Sequence, residues 1–231
     1  MRTYLRWGGR ILLLFILLLI VYQLWIFAHI VWWRWFNPST SSFMEDQLEV
    51  LQEKNPDAAL RHKWVPYEKI SANLKRAIVA SEDARFMEHE GFDWEAIEKA
   101  YEKNLKKGKI VAGGSTISQQ LAKNLFLSSK RSPWRKLQEA AITVMLEAVL
   151  SKRRIFEIYL NVIEWGNGVF GAEAASRYYY RSGASGLNAW QAARLAAMVP
   201  NPRFYDKRRS TPYLSRKTST ILARMPASEI P

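Results

Sequence analysis

Residues 80–91 read Ala80-Ser81-Glu82-Asp83-Ala84-Arg85-Phe86-Met87-Glu88-His89-Glu90-Gly91. Two adjacent carboxylates close a periodic apolar run of Ile70, Leu74, Ala77 and Ile78 and precede a glycine stop. The run predicts a helix on which Glu82 shares a face with Ile78, Phe86 and His89 and points toward packed structure. A carboxylate so placed can take part in proton transfer; the plain alternative is a solvated acidic helix end. Asp83 projects about 100° away from Glu82 on such a helix, so it reads as a structural partner to backbone or cation rather than a second acid at one centre.

Outward from this stretch, the composition sets limits. The chain has 231 residues, a formal net charge of +13 and no cysteine. Disulfides, thiolate nucleophiles and cysteine-held metals are therefore excluded, and an oxidising compartment is permitted without being required. The three histidines, His29, His62 and His89, are too few for a His-rich zinc site, whereas a carboxylate-held Mg²⁺ or Mn²⁺ stays open. Nothing calls for an organic cofactor.

Toward the N-terminus, Ile11 to Trp33 contains no Asp, Glu, Lys or Arg. As a helix it would span about 35 Å against a hydrocarbon core of about 30 Å. Tyr22, Trp25, Trp32, Trp33 and Trp35 gather toward its C-terminal end, as interfacial aromatics do. Arg2, Arg6 and Arg10 precede the span and only Arg34 follows it closely, so the positive-inside rule puts the N-terminus in the cytoplasm. A cleaved signal peptide competes with this reading, but its apolar region would run only about 7 to 15 residues.

Beyond the span, Asn37-Pro38-Ser39-Thr40-Ser41-Ser42 reads as a stem, and Pro66 as the boundary before the first convincing helix. Asp93 caps a second helix with Trp94, Ile97, Ala100 and Tyr101 on one face, running into Lys103, Lys106, Lys107 and Lys109. That basic tract either touches anionic head groups or is a solvated face. Gly113-Gly114-Ser115-Thr116-Ile117-Ser118-Gln119-Gln120 then leads into a helix with Thr116 as cap and Gln119 closing a capping box. Free N–H groups at this start would suit a phosphate, with Lys123, Lys130, Arg131, Arg135 and Lys136 following.

Ser132-Pro133-Trp134 opens the next helix, where Arg131, Arg135 and Glu139 form a polar line and Ala141, Val144, Met145 and Ala148 a core stripe. A structural ion pair explains Glu139 as readily as chemistry does. Glu157 and Asn161 share a face of a further helix, Trp165 to Gly168 reads as a turn, and helices follow over Gly171–Tyr179, Leu187–Met198 and Tyr213–Arg224. No strand pattern of useful length appears. The fold class is mainly all-α, with room for one short hairpin.

A tethered, basic, helical domain with candidate acids and a glycine-led anion site suggests a lipid-linked anionic substrate. If it carries a pyrophosphate, the cations neutralise that group as it leaves; if the acceptor is a sugar hydroxyl, a carboxylate must take its proton.

The chain resembles the monofunctional biosynthetic peptidoglycan transglycosylases, relatives of the glycosyltransferase domain of bifunctional penicillin-binding proteins (glycosyltransferase family 51). The resemblance runs from the anchor to about Tyr205 and rests on five ordered motifs. These are Glu82, Asp83, Phe86, His89 and Gly91; Gly113 to Gln120 with Lys123 and Asn124; Arg135, Lys136 and Glu139; Ile155, Phe156, Glu157, Tyr159, Leu160 and Asn161; and Leu195, Pro200, Asn201, Pro202 and Tyr205. Ser118 stands where the family has threonine and Phe156 where it has leucine, neither of which touches catalysis.

The resemblance implies a lysozyme-like two-lobed glycosyltransferase domain preceded by one transmembrane helix, its smaller lobe partly in the membrane. The division would be a cytoplasmic tail at 1–10, the span at 11–33, a stem and approach segment at 34–65 and the catalytic domain at 66–231. It also implies polymerisation of lipid II, with Glu82 as base and Glu139 assisting on the donor side. Lys123, Arg131, Arg135 and Lys136 would meet pyrophosphate, and Ser115, Gln119, Gln120 and Asn124 would line the donor site. Asp83, Phe86, His89, Gly91, Gly114, Thr116, Glu157 and Asn161 would be structural. The expected partners are lipid II, the growing strand, the bacterial inner membrane and division or wall-synthesis proteins, with the catalytic domain periplasmic. A peptidoglycan-cleaving lysozyme-like or lytic enzyme, or a non-catalytic wall scaffold, are the alternatives. Cleavage would leave the cations without a task, and an external domain has no nucleic acid to bind.

Overall fold

A computed structural model describes residues 2–109, 113–128 and 132–231. Helix α1 (Arg2–Trp32) contains a 24-residue apolar span, Gly9–Trp32, long enough to cross a bilayer. After the stem come α2 (Ser42–Gln52), strand β1 (Arg61–His62), α3 (Ala72–Glu82), α4 (Trp94–Lys107), α5 (Ile117–Phe126), α6 (Pro133–Val149) and α7 (Lys152–Val162). A hairpin of β2 (Glu164–Gly166) and β3 (Val169–Phe170) leads to α8 (Ala172–Tyr180), α9 (Ala189–Met198), α10 (Pro202–Lys207) and α11 (Pro212–Arg224).

Local chemistry sets the helix starts. Ser71, Asp93, Thr116, Ser132, Ser151, Asn188 and Thr211 each cap a helix by accepting a backbone N–H two or three residues inside it. Thr116 and Gln119 form the expected reciprocal box. Packing then gathers the helices into two groups. Helix α9 lies between α3 and α11, and α5 is sandwiched by α6 and α7, with α2 and α1 on its flanks through α5 and α6. The small alanines of α9, Ala192, Ala193, Ala196 and Ala197, are fully buried and let α3 and α11 approach closely.

Three expectations need correction. The helix carrying Glu82 ends there: Asp83 is its extended C-cap (φ −163°), so Phe86 and His89 sit in turns rather than on the same helical face. On α6 the buried stripe is Glu139, Ile142, Thr143 and Leu146, while Val144 is 57% exposed. The apolar face of α4 is open, with Trp94 and Tyr101 exposed and only Ala100 buried. Finally, Trp165 and Gly166 are strand; the turn is Asn167-Gly168, a favoured pair for a two-residue hairpin. Strand β3 pairs antiparallel with β2 and parallel with β1, in the order β1-β3-β2, and strands of two or three residues are too short for alternation to register.

Helix α1 is part of this body. Ile26 and Ile30 are fully buried and Trp33 nearly so, and the Gln23 and Gln138 side chains exchange amide hydrogen bonds (2.8 and 3.2 Å) between α1 and α6.

Candidate active site

A cleft of about 570 Å³ opens between the end of α3, the start of α4, the loop 113–116 and Arg224 at the end of α11. Glu82 stands on its wall, half-buried. Its carboxylate accepts from Ser81 Oγ (2.9 Å) and Gln120 Nε2 (3.2 Å), and the Gln120 carbonyl in turn accepts from the buried Tyr159 hydroxyl (2.9 Å). Neutral donors thus fix the carboxylate. Burial, reinforced by Glu82 and Asp83, pushes the Tyr159 phenol well above its ordinary value, so it stays protonated and keeps donating.

Asp83 turns the other way. It is 6% exposed, accepts the N–H of Ile117 at the start of α5 (2.9 Å) and meets His89 Nε2 (3.0 Å). Since the carboxylate accepts, His89 carries its proton on Nε2, and Nδ1 accepts from the Gly91 N–H (3.2 Å). Both ring nitrogens are occupied. The helix start expected to hold a phosphate is therefore not free: Asp83 takes one N–H and Thr116 Oγ1 takes that of Gln119. An internal anion occupies the place a ligand would need.

Two glycines allow this closeness. Gly91 has φ +91°, and a Cβ there would lie 2.7 Å from Thr143 Cγ2; at Gly114 it would lie 2.8 Å from Ile97 Cα on α4. Thr116 Oγ1 donates to the Gly91 carbonyl (2.7 Å), tying the two motif loops together.

A group of cations stands beside the cleft, reaching its rim where Lys136 meets Ser115. Lys123 is half-buried, and desolvation holds its ammonium below the ordinary lysine value, although Glu139 and Glu82 push the other way and Arg135 and Lys136 add to the depression. These five groups therefore share one electrostatic neighbourhood. Glu139 is buried and ion-paired with Lys136, which also donates to Ser115 Oγ (3.4 Å). Arg135 Nε is buried and has no hydrogen-bond partner among the described residues.

Among the other expected site residues, Ser115 is exposed and lines the cleft. Gln119 is buried, its carbonyl accepting the Thr116 N–H (3.0 Å), and the Asn124 amide donates to the Gln120 carbonyl (2.7 Å), so neither side chain is open to the cleft as a donor-site lining would be. Arg131 lies outside the described residues. Phe86 is fully buried against Phe156. Asn161 grips the Val65 backbone through two bonds (2.9 and 3.0 Å), and Glu157 accepts the Tyr67 N–H (3.0 Å) and pairs with Arg154 (2.7 Å). Both brace the approach to α3.

Sequence reasoning passed over Arg85, Arg224 and Lys217. Arg85 lines the cleft and clamps Asp93, holding that carboxyl below its usual range. Lys217 on α11 is half-buried, its ammonium lowered by burial and raised by Glu82. Arg85 lay within the quoted stretch and Asp93 had been noted as a cap, but no local pattern links α11 to Glu82.

Among the described residues, Asp83, His89 and Asp93 alone bring three metal-ligating atoms within 4.8 Å of one another. Each is already held by a protein donor, and Arg85 adds a positive charge beside Asp93. The trio does not fit a resident cation.

A lysozyme-like helical domain on a membrane-spanning helix, with a carboxylate at a cleft and cations beside it, defines an enzyme that works on glycan at a membrane. The chain belongs to the transglycosylase family, whose profile matches residues 47–226. It is 68% identical to the biosynthetic peptidoglycan transglycosylase of Nitrosospira multiformis, over 98% of both chains. Identity is 69% to that of Chromobacterium violaceum, over 96% of this chain and 97% of the relative, and 68% to that of Methylobacillus flagellatus, over 97% of each.

Proposed function

We infer that the protein polymerises lipid II into linear peptidoglycan strands, forming β-1,4 links between N-acetylmuramic acid and N-acetylglucosamine. The observation that carries the chemistry is the Glu82 carboxylate on the cleft wall, held by Ser81 and Gln120 and left able to accept a proton. The 4-hydroxyl of the acceptor N-acetylglucosamine attacks C1 of the lipid-linked N-acetylmuramic acid, and Glu82 takes the hydroxyl proton. The C1–O bond to the diphosphate breaks with inversion, and undecaprenyl pyrophosphate departs with the electron pair. Lys123, Arg135 and Lys136, joined by Arg131, meet the charge that develops on that group. Glu139 orients Lys136, with which it pairs.

The single span anchors the chain in the membrane. The arginines before it support an N-terminus in the cytoplasm and a catalytic domain on the periplasmic side of the inner membrane. The open apolar faces of α4 and α6 suit immersion in the outer leaflet beside α1. Division and wall-synthesis proteins are the partners proposed for this surface. Where Mg²⁺ or Mn²⁺ is used, we propose that it arrives with the substrate diphosphate.

The test is purified full-length protein with lipid II across a metal series. Wild type yields polymer and Glu82→Gln slows it by about 10² or more. Equal rates would sink the assigned base, and fragments from finished wall without polymer from lipid II would favour the lytic alternative.

A further inference from the structure

A second cavity, of about 390 Å³, lies where the outer end of α1 meets the stem and α5, and polymerisation leaves it without a task. Trp25, His29, Trp32 and Trp33 line one side and Phe126 another. The rings touch: centroids are 4.3 Å apart for Trp25 and His29 and 5.1 Å for Trp33 and Phe126. Among the described residues no lysine or arginine lines this cavity, and the one carboxylate there is that of Glu45. His29 Nδ1 donates to the Trp25 carbonyl (2.8 Å), so in the neutral ring it is Nε2 that accepts. Arg154, which braces this wall, is spent on the carbonyls of Trp33 and Phe36, on Asn37 and on Glu157.

Aromatic faces, a carboxylate and an acceptor nitrogen all favour a cation and disfavour an anion. The cavity sits at the outer end of the Gly9–Trp32 span, at the depth of phospholipid head groups. A ligand arriving at that depth as a cation is an amine carried on a lipid.

We propose that this cavity binds the ethanolamine head group of a phospholipid, with the ammonium between the tryptophan rings and Glu45. The bound lipid fills the seam between anchor and stem without entering the catalytic cleft.

The test uses full-length protein in nanodiscs of equal phosphatidylethanolamine and phosphatidylglycerol, with retained lipids counted by native mass spectrometry. Wild type should keep phosphatidylethanolamine over phosphatidylglycerol by about tenfold. Glu45→Gln should lose that preference while polymerising lipid II in detergent at the wild-type rate, and Trp32→Leu, at an exposed ring, should weaken it independently. No preference in wild type, or an undiminished one in both variants, overturns the proposal. So does displacement by millimolar free ethanolamine, which would mark a soluble amine as the ligand.

Discussion

The carboxylate wall of the cleft and the cationic group beside it are built on opposite plans. On the wall at the end of α3, Glu82, Asp83, His89 and Gln120 all have their polar atoms engaged by neighbours at hydrogen-bond distance. On α5 and α6, a desolvated lysine stands near a buried arginine nitrogen that has no hydrogen-bond partner among the described residues. Under the proposed mechanism, the first group holds one proton acceptor in a fixed direction. The second receives a charge that exists only once the diphosphate starts to leave, and the unpartnered Arg135 nitrogen is strongest when that charge appears.

The sharpest way to break this contrast is within one pair of neighbours. Glu82→Gln should lower lipid II polymerisation by about 10² to 10⁴ and lower the melting temperature less than Asp83→Asn does, because the half-buried amide still accepts from Ser81 and loses only the bond from Gln120. Asp83→Asn should lower the melting temperature more, since an amide cannot accept from both Ile117 and His89. A rate loss without destabilisation at Asp83 would merge the two roles.

In the cationic group, Lys123→Met should cost about 10² to 10³ in rate. Its ammonium sits below the ordinary lysine value of 10.5, so it loses its proton earlier as pH rises and activity should fall on the alkaline side before an ordinary lysine would titrate. Lys123→Arg should move that limb to higher pH. For folding the sign is opposite: the unfolded chain holds the proton more tightly, so this group's contribution to stability increases with pH between the lowered value and 10.5. A pH–rate profile in which Met and Arg variants coincide would remove Lys123 from the cleft chemistry.

Smaller effects test the frame. Asn161→Ala leaves the Val65 N–H and carbonyl without their partners and should cost about 2 to 4 kcal/mol in denaturant unfolding. Within α6, Ile142→Ala should cost about 2 to 4 kcal/mol but Val144→Ala less than about 0.5 kcal/mol. Equal losses would restore the stripe that apolar spacing alone suggested.

Much of this was legible in the chain. The caps at Asp93 and Thr116 are local chemistry and sit at the helix starts their residue types favour. The apolar span needs only length and absence of charge. What spacing could not tell was which side of α4 and α6 faces protein, because an apolar stripe reads the same against a core or against lipid. At the candidate site, Glu82 stood out as an acid after an apolar run. That Asp83 would occupy the start of α5, 34 residues later, depends on a tertiary contact. The same is true of Lys217, which only the packing of α11 on α9 and α3 brings toward Glu82.

The exchange of amides between Gln23 and Gln138 has a practical side. It means the lipid bilayer is a building material of the catalytic body, much as water is for an ordinary globule. A chain trimmed to begin after Arg34 would lose the buried Ile26, Ile30 and Trp33 and turn the flank of α6 out to solvent. Poor solubility of such a fragment would then reflect a missing piece of its interior, and a detergent or nanodisc around the intact chain is the condition under which its fold is whole.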